Sequence, residues 1–410
     1  MENFRIYNAS VWTPTGTRAL KGARMGALSH IAGGEVEIAD GVIVYVGPTR
    51  AGRTDGIDAG GRVVLPGFVD SHTHMVFGGW RPEEFGWRLR GDSYMSIMNR
   101  GGGIVSTMKA TREASAEHLK AKTLRLIDRM SAMGVTTVEG KSGYGLDRET
   151  ELKQLRVMAD INADPHRKVD IATTYLAAHA CPPEWKDRED DYIDTIISQW
   201  LPEVSELGLA ENCDIFCEQG VFTIEQSRRL LEAARALGMG AKIHADEIVD
   251  TGGTALAAET GCLSADHLLH ASDSGIARLA ESDTVATLLP LTAFTLREPY
   301  ARGRMMIDSG AAVALATDLN PGSCCSGSIP LTFALACIYM HLSVEEAITA
   351  LTLNGAAAIG RADTIGSLET GKLGDLVMLD FDTPACLPYY TGMNSVVMTV
   401  KRGRVVYNQL

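Results

Sequence analysis

Along this 410-residue chain the rhythm of apolar positions changes twice. Residues 1–62 carry short β-type runs such as Val42–Val46, broken by Gly33-Gly34, Gly47-Pro48 and Gly60-Gly61, which is how turn-linked antiparallel strands read. The same pattern returns in Leu376–Leu379, Val396–Val400 and Val405–Tyr407, with Gly371, Gly374 and Gly403 among them. Between these ends, apolar runs suited to buried parallel strands fall near 63–70, 134–139, 169–177, 213–217, 240–244, 263–268, 284–290 and 311–317. They alternate with helix-like stretches, among them Ala116–Met133, Glu149–Asn162, Ile224–Leu237 and Ser272–Ser282. Eight β-α repeats predict an α/β fold, a (β/α)8 TIM barrel over 63–363. The two β-rich ends, 1–62 and 364–410, predict one small β-sandwich-like domain built from both termini. A doubly wound open sheet is the rival, but it has fewer strands and a glycine-rich phosphate turn after the first. The triplet Gly101-Gly102-Gly103 follows no strand, lacks that spacing, and reads as a loop over the barrel mouth.

Composition narrows the function. At 45% hydrophobic and 22% charged residues with 42 glycines, the chain is a globular enzyme type, neither disordered nor collagen-like. Fifty-one acidic against 38 basic residues leave a net charge of −13, and no Lys/Arg stripe offers a footprint for nucleic acid. An anionic substrate therefore needs a local basic group. The eight cysteines (Cys181, Cys213, Cys217, Cys262, Cys324, Cys325, Cys337 and Cys386) are scattered without a CxxC pair, as in reduced cytoplasmic proteins. The start, MENFRIYNASVW, lacks a basic and then apolar secretory pattern. The longest apolar stretch, Ile329–Leu342, is too short to span a bilayer and reads as a helix buried on most sides. No membrane partner is expected, and a homodimer is.

The chemistry gathers where the predicted strands end. Asp70-Ser71-His72-Thr73-His74 closes the first, Lys141-Ser142-Gly143-Tyr144 the second and His179 the third. His244-Ala245-Asp246-Glu247 closes the fifth, Asp266-His267 the sixth, and Asp318-Leu319-Asn320-Pro321-Gly322-Ser323 the eighth. In such barrels the carboxyl face carries catalysis. His72 and His74, two apart on a strand, point to the same side. A lone HxH is as often structural as metal-binding, but His244 and Asp318 at other strand ends add a third imidazole and a carboxylate. Three nitrogens and one oxygen suit one ion of Zn or Fe with a position open for water. Glu247 is either a solvated loop carboxylate or a general base that becomes the acid. His267 is either a core histidine or a group that polarises a carbonyl and shuttles protons.

With these residues assembled, the chain resembles the amidohydrolase superfamily and, within it, the imidazolonepropionase family. The likeness runs through LPGFVDSHTHMVFGGWRPEEF (65–85), GGGIVSTMKATREAS (101–115), GVTTVEGKSGYGLDRETELKQLRVM (134–158), KIHADE (242–247), LSADHLL (263–269) and ATDLNPGS (316–323). PGFVDSHTH marks only the superfamily; SGYGL with HADE and TDLNPGS points to the family. The resemblance implies one divalent or trivalent metal on His72, His74, His244 and Asp318, and catalysis by Glu247, His267 and Asp318. It implies substrate contacts at Arg81, Tyr144, His179, Glu247, Asn320, Gly322 and Ser323. Bland readings stand beside these: Tyr144 as a packing aromatic, Arg81 as a surface charge, Gly322 as a turn. The planar fork of Arg81 suits a propionate carboxylate. The implied reaction is hydrolysis of 4-imidazolone-5-propanoate to N-formimidoyl-L-glutamate by a metal-activated water, in histidine degradation. The alternative is a single-metal deaminase of a purine or triazine-like ring, of the guanine-deaminase type. A binuclear, dihydropyrimidinase-like site needs a lysine at the end of strand four, where Cys217-Glu218-Gln219 stands. A metal-binding scaffold without activity has no need of Glu247 and His267. One departure from the family follows Ser323, where Cys324-Cys325-Ser326-Gly327 replaces a Ser-Pro or Ala-Pro type sequence and alters the local loop.

Overall fold

Both β-rich ends of the chain form strands, and in the computed structural model they share one sheet. The structure describes residues 3–53, 55–92, 100 and 102–410. The first five strands are β1 (Phe4–Thr13), β2 (Ser29–Ala39), β3 (Val42–Pro48), β4 (Ile57–Asp58) and β5 (Val63–Pro66). Next come β6 (Phe68–Asp70), β7 (Val135–Lys141), β8 (Asp170–Ala178), β9 (Asn212–Cys217) and β10 (Gly240–Ala245). Then follow β11 (Ser264–His267), β12 (Val285–Leu288), β13 (Ala312–Leu315), β14 (Leu376–Leu379), β15 (Val396–Lys401) and β16 (Arg404–Asn408).

The terminal sheet runs β16-β15-β14-β5-β1-β2-β3, with β4 beside β1. Alternate positions of these strands, including Ile6, Val11, Val36, Ile38, Val64, Met378 and Val400, bury one apolar face. The β2–β3 hairpin turns through Asp40-Gly41, both left-handed (φ 52° and 81°), as a two-residue turn between right-twisted strands requires.

Strands β6 to β13 pair in sequence order, every pair parallel. Their residues are buried on both faces, which is why they read as continuous apolar runs. Between β6 and β13 the ring closes beyond the strand ends: Thr73 bridges Leu319 in parallel fashion, and the Asp318 amide donates to the His72 carbonyl (3.0 Å). The amide of His74 donates to the Leu319 carbonyl (2.9 Å). This closed parallel barrel with a separate sheet from the two termini is the fold class the sequence predicts.

Three local expectations need correcting, and a fourth falls partly outside the described residues. The apolar run 63–70 is two strands: Val63–Pro66 joins the terminal sheet, between β1 and β14, and only Phe68–Asp70 enters the barrel. Gly67 lies between them, its amide bonded to the Asp375 carbonyl (3.0 Å), so periodicity cannot reveal the change of sheet. His72 and His74 consequently lie past the end of β6, not on it. The helix expected over Ile329–Leu342 stops at Tyr339, and its end is wet, with Ile338 and Tyr339 about half exposed. Gly101 of the glycine triplet lies outside the described residues; Gly102 and Gly103 lead into a helix at Ile104–Glu113.

Candidate active site

The residues singled out at strand ends meet at the carboxyl end of the barrel. Nε2 of His72 lies 3.3 Å from Nε2 of His74, which lies 3.4 Å from Nε2 of His244. Oδ1 of Asp318 is 3.5 Å from Nε2 of His72 and 3.7 Å from Nε2 of His74. All four residues are 98% buried or more. Separations of about 3.3–3.7 Å are those shown by ligand atoms that lie about 2.0–2.3 Å from a shared ion, the reach of zinc-type coordination. His72, His74 and Asp318 form one group able to hold a metal, and His244 joins His74 and His179 in a second that overlaps it. The His179 ring stacks on His74 (centroids 4.9 Å, 12°), and the His267 ring lies 5.2 Å from His244.

The backbone is bent into place for this. Asp246, His267 and Asp318 are all left-handed (φ 49°, 77° and 54°) although none is glycine. Such conformations cost on the order of 1 kcal/mol or more and persist where tertiary bonds enforce them. Asp246 shows the enforcement: its carboxylate accepts the amides of Thr251, Gly253 and Thr254 and so fixes the turn that carries Glu247. At Asp318, Thr292 donates its hydroxyl to Oδ2 (2.6 Å), leaving Oδ1 to face the histidines.

Burial dominates the electrostatics. It pushes His72, His74 and His267 well below the usual histidine range and His179 to about 3, so these rings are neutral and able to act as ligands or acceptors. Burial also disfavours charge on His244, but Asp214 at 3.0 Å overrides it and raises that ring. Burial raises Asp318 to about 6. It raises Glu247 to about 8, helped by the nearby charge of Asp318. Glu247 Oε1 lies 3.5 Å from Nδ1 of His267, and the His267 ring adjoins His72 and His244.

The remaining predicted residues fall into two groups. Arg81 is no surface charge: its side chain is about 10% exposed, its Nε has no hydrogen-bond partner among the described residues, and Nη1 lies 3.4 Å from Glu84. The guanidinium lies so close over Gly322 that a methyl group there would overlap Nη2. Tyr144 is 3% exposed and packs within 5.8 Å of the His74 ring; burial raises its phenol, which stays neutral. Asn320 is saturated within its own loop. Its Oδ1 accepts the amides of Gly322 (2.7 Å) and Ser323 (2.8 Å), and its Nδ2 donates to the Asp318 carbonyl and Ser323 Oγ. This bonding, with the Asn320 amide on the Cys324 carbonyl, shapes the departing loop; Cys324 is buried within it and Cys325 is exposed.

Sequence reasoning missed the supports. Glu151, on the helix Arg148–Asn162, accepts the amides of Gly143, Gly145 and Leu146 and so holds the loop around Tyr144. Gln154, one turn further on, donates to the Val76 carbonyl (2.6 Å). The visible signal was polar residues on the inner face of an amphipathic helix. Asp214 and Asp266, which lie against the far nitrogens of His244 and His72, were also missed as supports; nothing in a β-strand sequence announces such a partner. At the end of β9 the structure has Cys217 and Glu218, and no lysine.

A family model for the amidohydrolase family matches residues 63–406. The chain is 66% identical over 410 residues to an imidazolonepropionase of Phocaeicola vulgatus, covering 99% of both chains. It is 63% identical over 409 residues to one of Bacteroides thetaiotaomicron, covering 98% of both. Among solved structures, a zinc-bound adenosine deaminase from Xanthomonas campestris superposes with a TM-score of 0.73 at 18% identity, over 99% of this chain and 93% of that one; this likeness speaks to fold alone. On the full-length matches and the family model together, the chain belongs to the amidohydrolase family and, within it, to the imidazolonepropionases.

Proposed function

We propose that this enzyme hydrolyses 4-imidazolone-5-propanoate to N-formimidoyl-L-glutamate, a step of histidine degradation. What carries the reading is the Glu247–His267 pair, 3.5 Å apart beside the convergence of His72, His74, His244 and Asp318. That pairing occurs in a chain whose full-length relatives bear the imidazolonepropionase name.

His72, His74, His244 and Asp318 are the residues that would hold one Zn or Fe ion. When bound, that ion supplies Lewis acidity to water and to the substrate carbonyl. Glu247 takes a proton from the attacking water and returns it to the ring nitrogen as the amide C–N bond breaks. His267, neutral and buried, donates a hydrogen bond to the oxygen that gains charge. Asp318 shares this proton traffic. Arg81 binds the propionate carboxylate, while Tyr144, His179, Gly322 and Ser323 line the ring's position. Asn320 acts through the turn it shapes. Eight free cysteines support a cytoplasmic location, and no helix among the described residues is long and apolar enough to cross a membrane. The half-exposed Ile338 and Tyr339 support a homodimer.

Following imidazolone absorbance with the metal-loaded enzyme tests the reading, with guanine as control. Loss of absorbance is the expected result; turnover of guanine alone overturns it. A second measurement concerns Arg81. Its contact is made in ground and transition states alike, so Arg81→Ala should raise KM with little change in kcat. A desolvated bidentate pair is worth on the order of 2–4 kcal/mol, so the rise is about 30- to 1000-fold. A fall in kcat at unchanged KM would remove Arg81 from binding.

A further inference from the structure

Beneath the convergent histidines lies a layer of five charged side chains with no solvent exposure at all: Glu139, Lys141, Asp214, Lys242 and Asp266. Burying charge is costly unless every group is paired, so such a layer invites the question of what it positions. The pairing is specific. Lys141 Nζ is 2.6 Å from Oδ2 of Asp214 and 3.3 Å from Oδ2 of Asp266. Those same two oxygens face the ligand-set histidines: Oδ2 of Asp266 is 2.7 Å from Nδ1 of His72, and Oδ2 of Asp214 is 3.0 Å from Nδ1 of His244. One ammonium therefore joins two carboxylate–imidazole arms. The His72 arm is a formed hydrogen bond, whereas Nδ1 of His244 lies within 3.0 Å of its carboxylate without hydrogen-bond alignment; among the described residues Nδ1 of His74 has no hydrogen-bond partner.

An ionised carboxylate only accepts hydrogen bonds, so a ring nitrogen against it carries the proton. The other nitrogen, Nε2, is then a bare lone pair. In both His72 and His244 that nitrogen is the one turned toward the convergent centre. The carboxylates are anchored in turn: Ser264 donates to Oδ1 of Asp266 (2.6 Å), and the Ile215 amide donates to Oδ1 of Asp214 (2.7 Å). Lys242 serves the outer side of the layer, donating to Ser264 Oγ (2.6 Å) and the Ala358 carbonyl (2.9 Å), and touches no histidine.

We propose that Lys141, Asp214 and Asp266 form one positioning unit for the metal centre, in which each carboxylate holds one ligand imidazole as its Nδ1–H tautomer and Lys141 sets the two arms relative to each other. The proposal rests on the reading of His72 and His244 as ligands. Losing such a partner typically weakens metal binding about 10- to 100-fold.

The test is zinc affinity of the metal-stripped protein, by competition with a chelating dye, alongside the melting temperature without metal. Asp214→Asn and Asp266→Asn should each weaken zinc about 10- to 100-fold. Lys141→Met should weaken it as well. Lys242→Met disturbs the same buried layer but removes a cation that is farther from Asp266 (3.9 Å, against 3.3 Å for Lys141) and is not the one that pairs Asp214; it should lower the melting temperature yet weaken zinc clearly less than Lys141→Met does. Equal weakening by Lys242→Met, or unchanged affinity in the two Asn variants, overturns the proposal in favour of a merely structural layer. Should an Asn variant fail to fold, imidazole 15N spectra of the unsubstituted zinc-loaded enzyme decide instead. They should show His72 and His244 protonated at Nδ1; protonation at Nε2 overturns the proposal. An unsubstituted protein that takes up no zinc would instead refute the ligand reading itself.

Discussion

His244→Ala is expected to give a folded barrel that neither retains metal nor turns over substrate. The side chain is 98% buried, on the fifth strand of the ring, and its Nε2 lies 3.4 Å from Nε2 of His74. A four-ligand zinc site in small domains is worth about 10–16 kcal/mol, so one ligand carries on the order of 3 kcal/mol, more than a hundredfold in affinity. The substitution also leaves a cavity and deprives Asp214 of its ring partner, although Lys141 still pairs that carboxylate. Some loss of melting temperature accompanies the effect, but the network keeps its cation. Metal content after dialysis against a chelator, with circular dichroism to show the fold, checks this. Stoichiometric metal in the variant would place the ion elsewhere, for instance on His72 and Asp318 with His267. The same physics sets the pH dependence of the unsubstituted site. Asp318 is raised to about 6 by burial in the metal-free protein, so its proton competes with metal below that pH. Chelators should strip the enzyme faster at pH 5 than at pH 8.

Glu247→Gln should do the opposite: keep the metal and lose the chemistry. Glu247 lies beyond the end of β10 and belongs to none of the clusters of potential metal-binding atoms among the described residues. Its carboxyl is about 15% exposed, raised to about 8 by burial and by the charge of Asp318, and placed 3.5 Å from His267. A group in such a setting passes its proton readily in either direction near neutral pH, which is what a base that later serves as an acid requires. The amide of Gln matches its shape but accepts no proton. A fall in kcat of about 100- to 10,000-fold is expected, with KM and metal content near those of the unsubstituted enzyme. Near-normal kcat would assign the proton to Asp318 or His267. Loss of metal would show that Glu247 is a ligand.

Much of this was legible in the chain alone, for a definite reason. Strand and helix periods are local properties, so the runs at 134–139, 213–217 and 284–290 coincide with β7, β9 and β12 to within three residues at either end. The candidate ligands were legible because a (β/α)8 barrel turns sequence position into spatial position: whatever follows a strand lies at one mouth. His72 and Asp318, far apart in sequence, therefore lie 3.5 Å apart, and His244 lies 3.4 Å from His74. What a strand does with its neighbours is not local. Val63–Pro66 and Phe68–Asp70 look like one apolar run, yet pair in different sheets, because the first lies between β1 and a strand more than 300 residues away, β14. Lys141 stood out as a charge ending an apolar strand, but Asp214 and Asp266, 73 and 125 residues further on, carry no mark of belonging to it. Likewise, only the folded chain shows that Asn320 spends its amide on its own loop and that Arg81 lies buried over Gly322. The sequence by itself determined the eight-fold repeat and the chemical kinds of residue brought to the barrel mouth. The tertiary structure alone decided which nitrogen of His72 and of His244 faces inward, because carboxylates contributed from other strands lie against the opposite nitrogens.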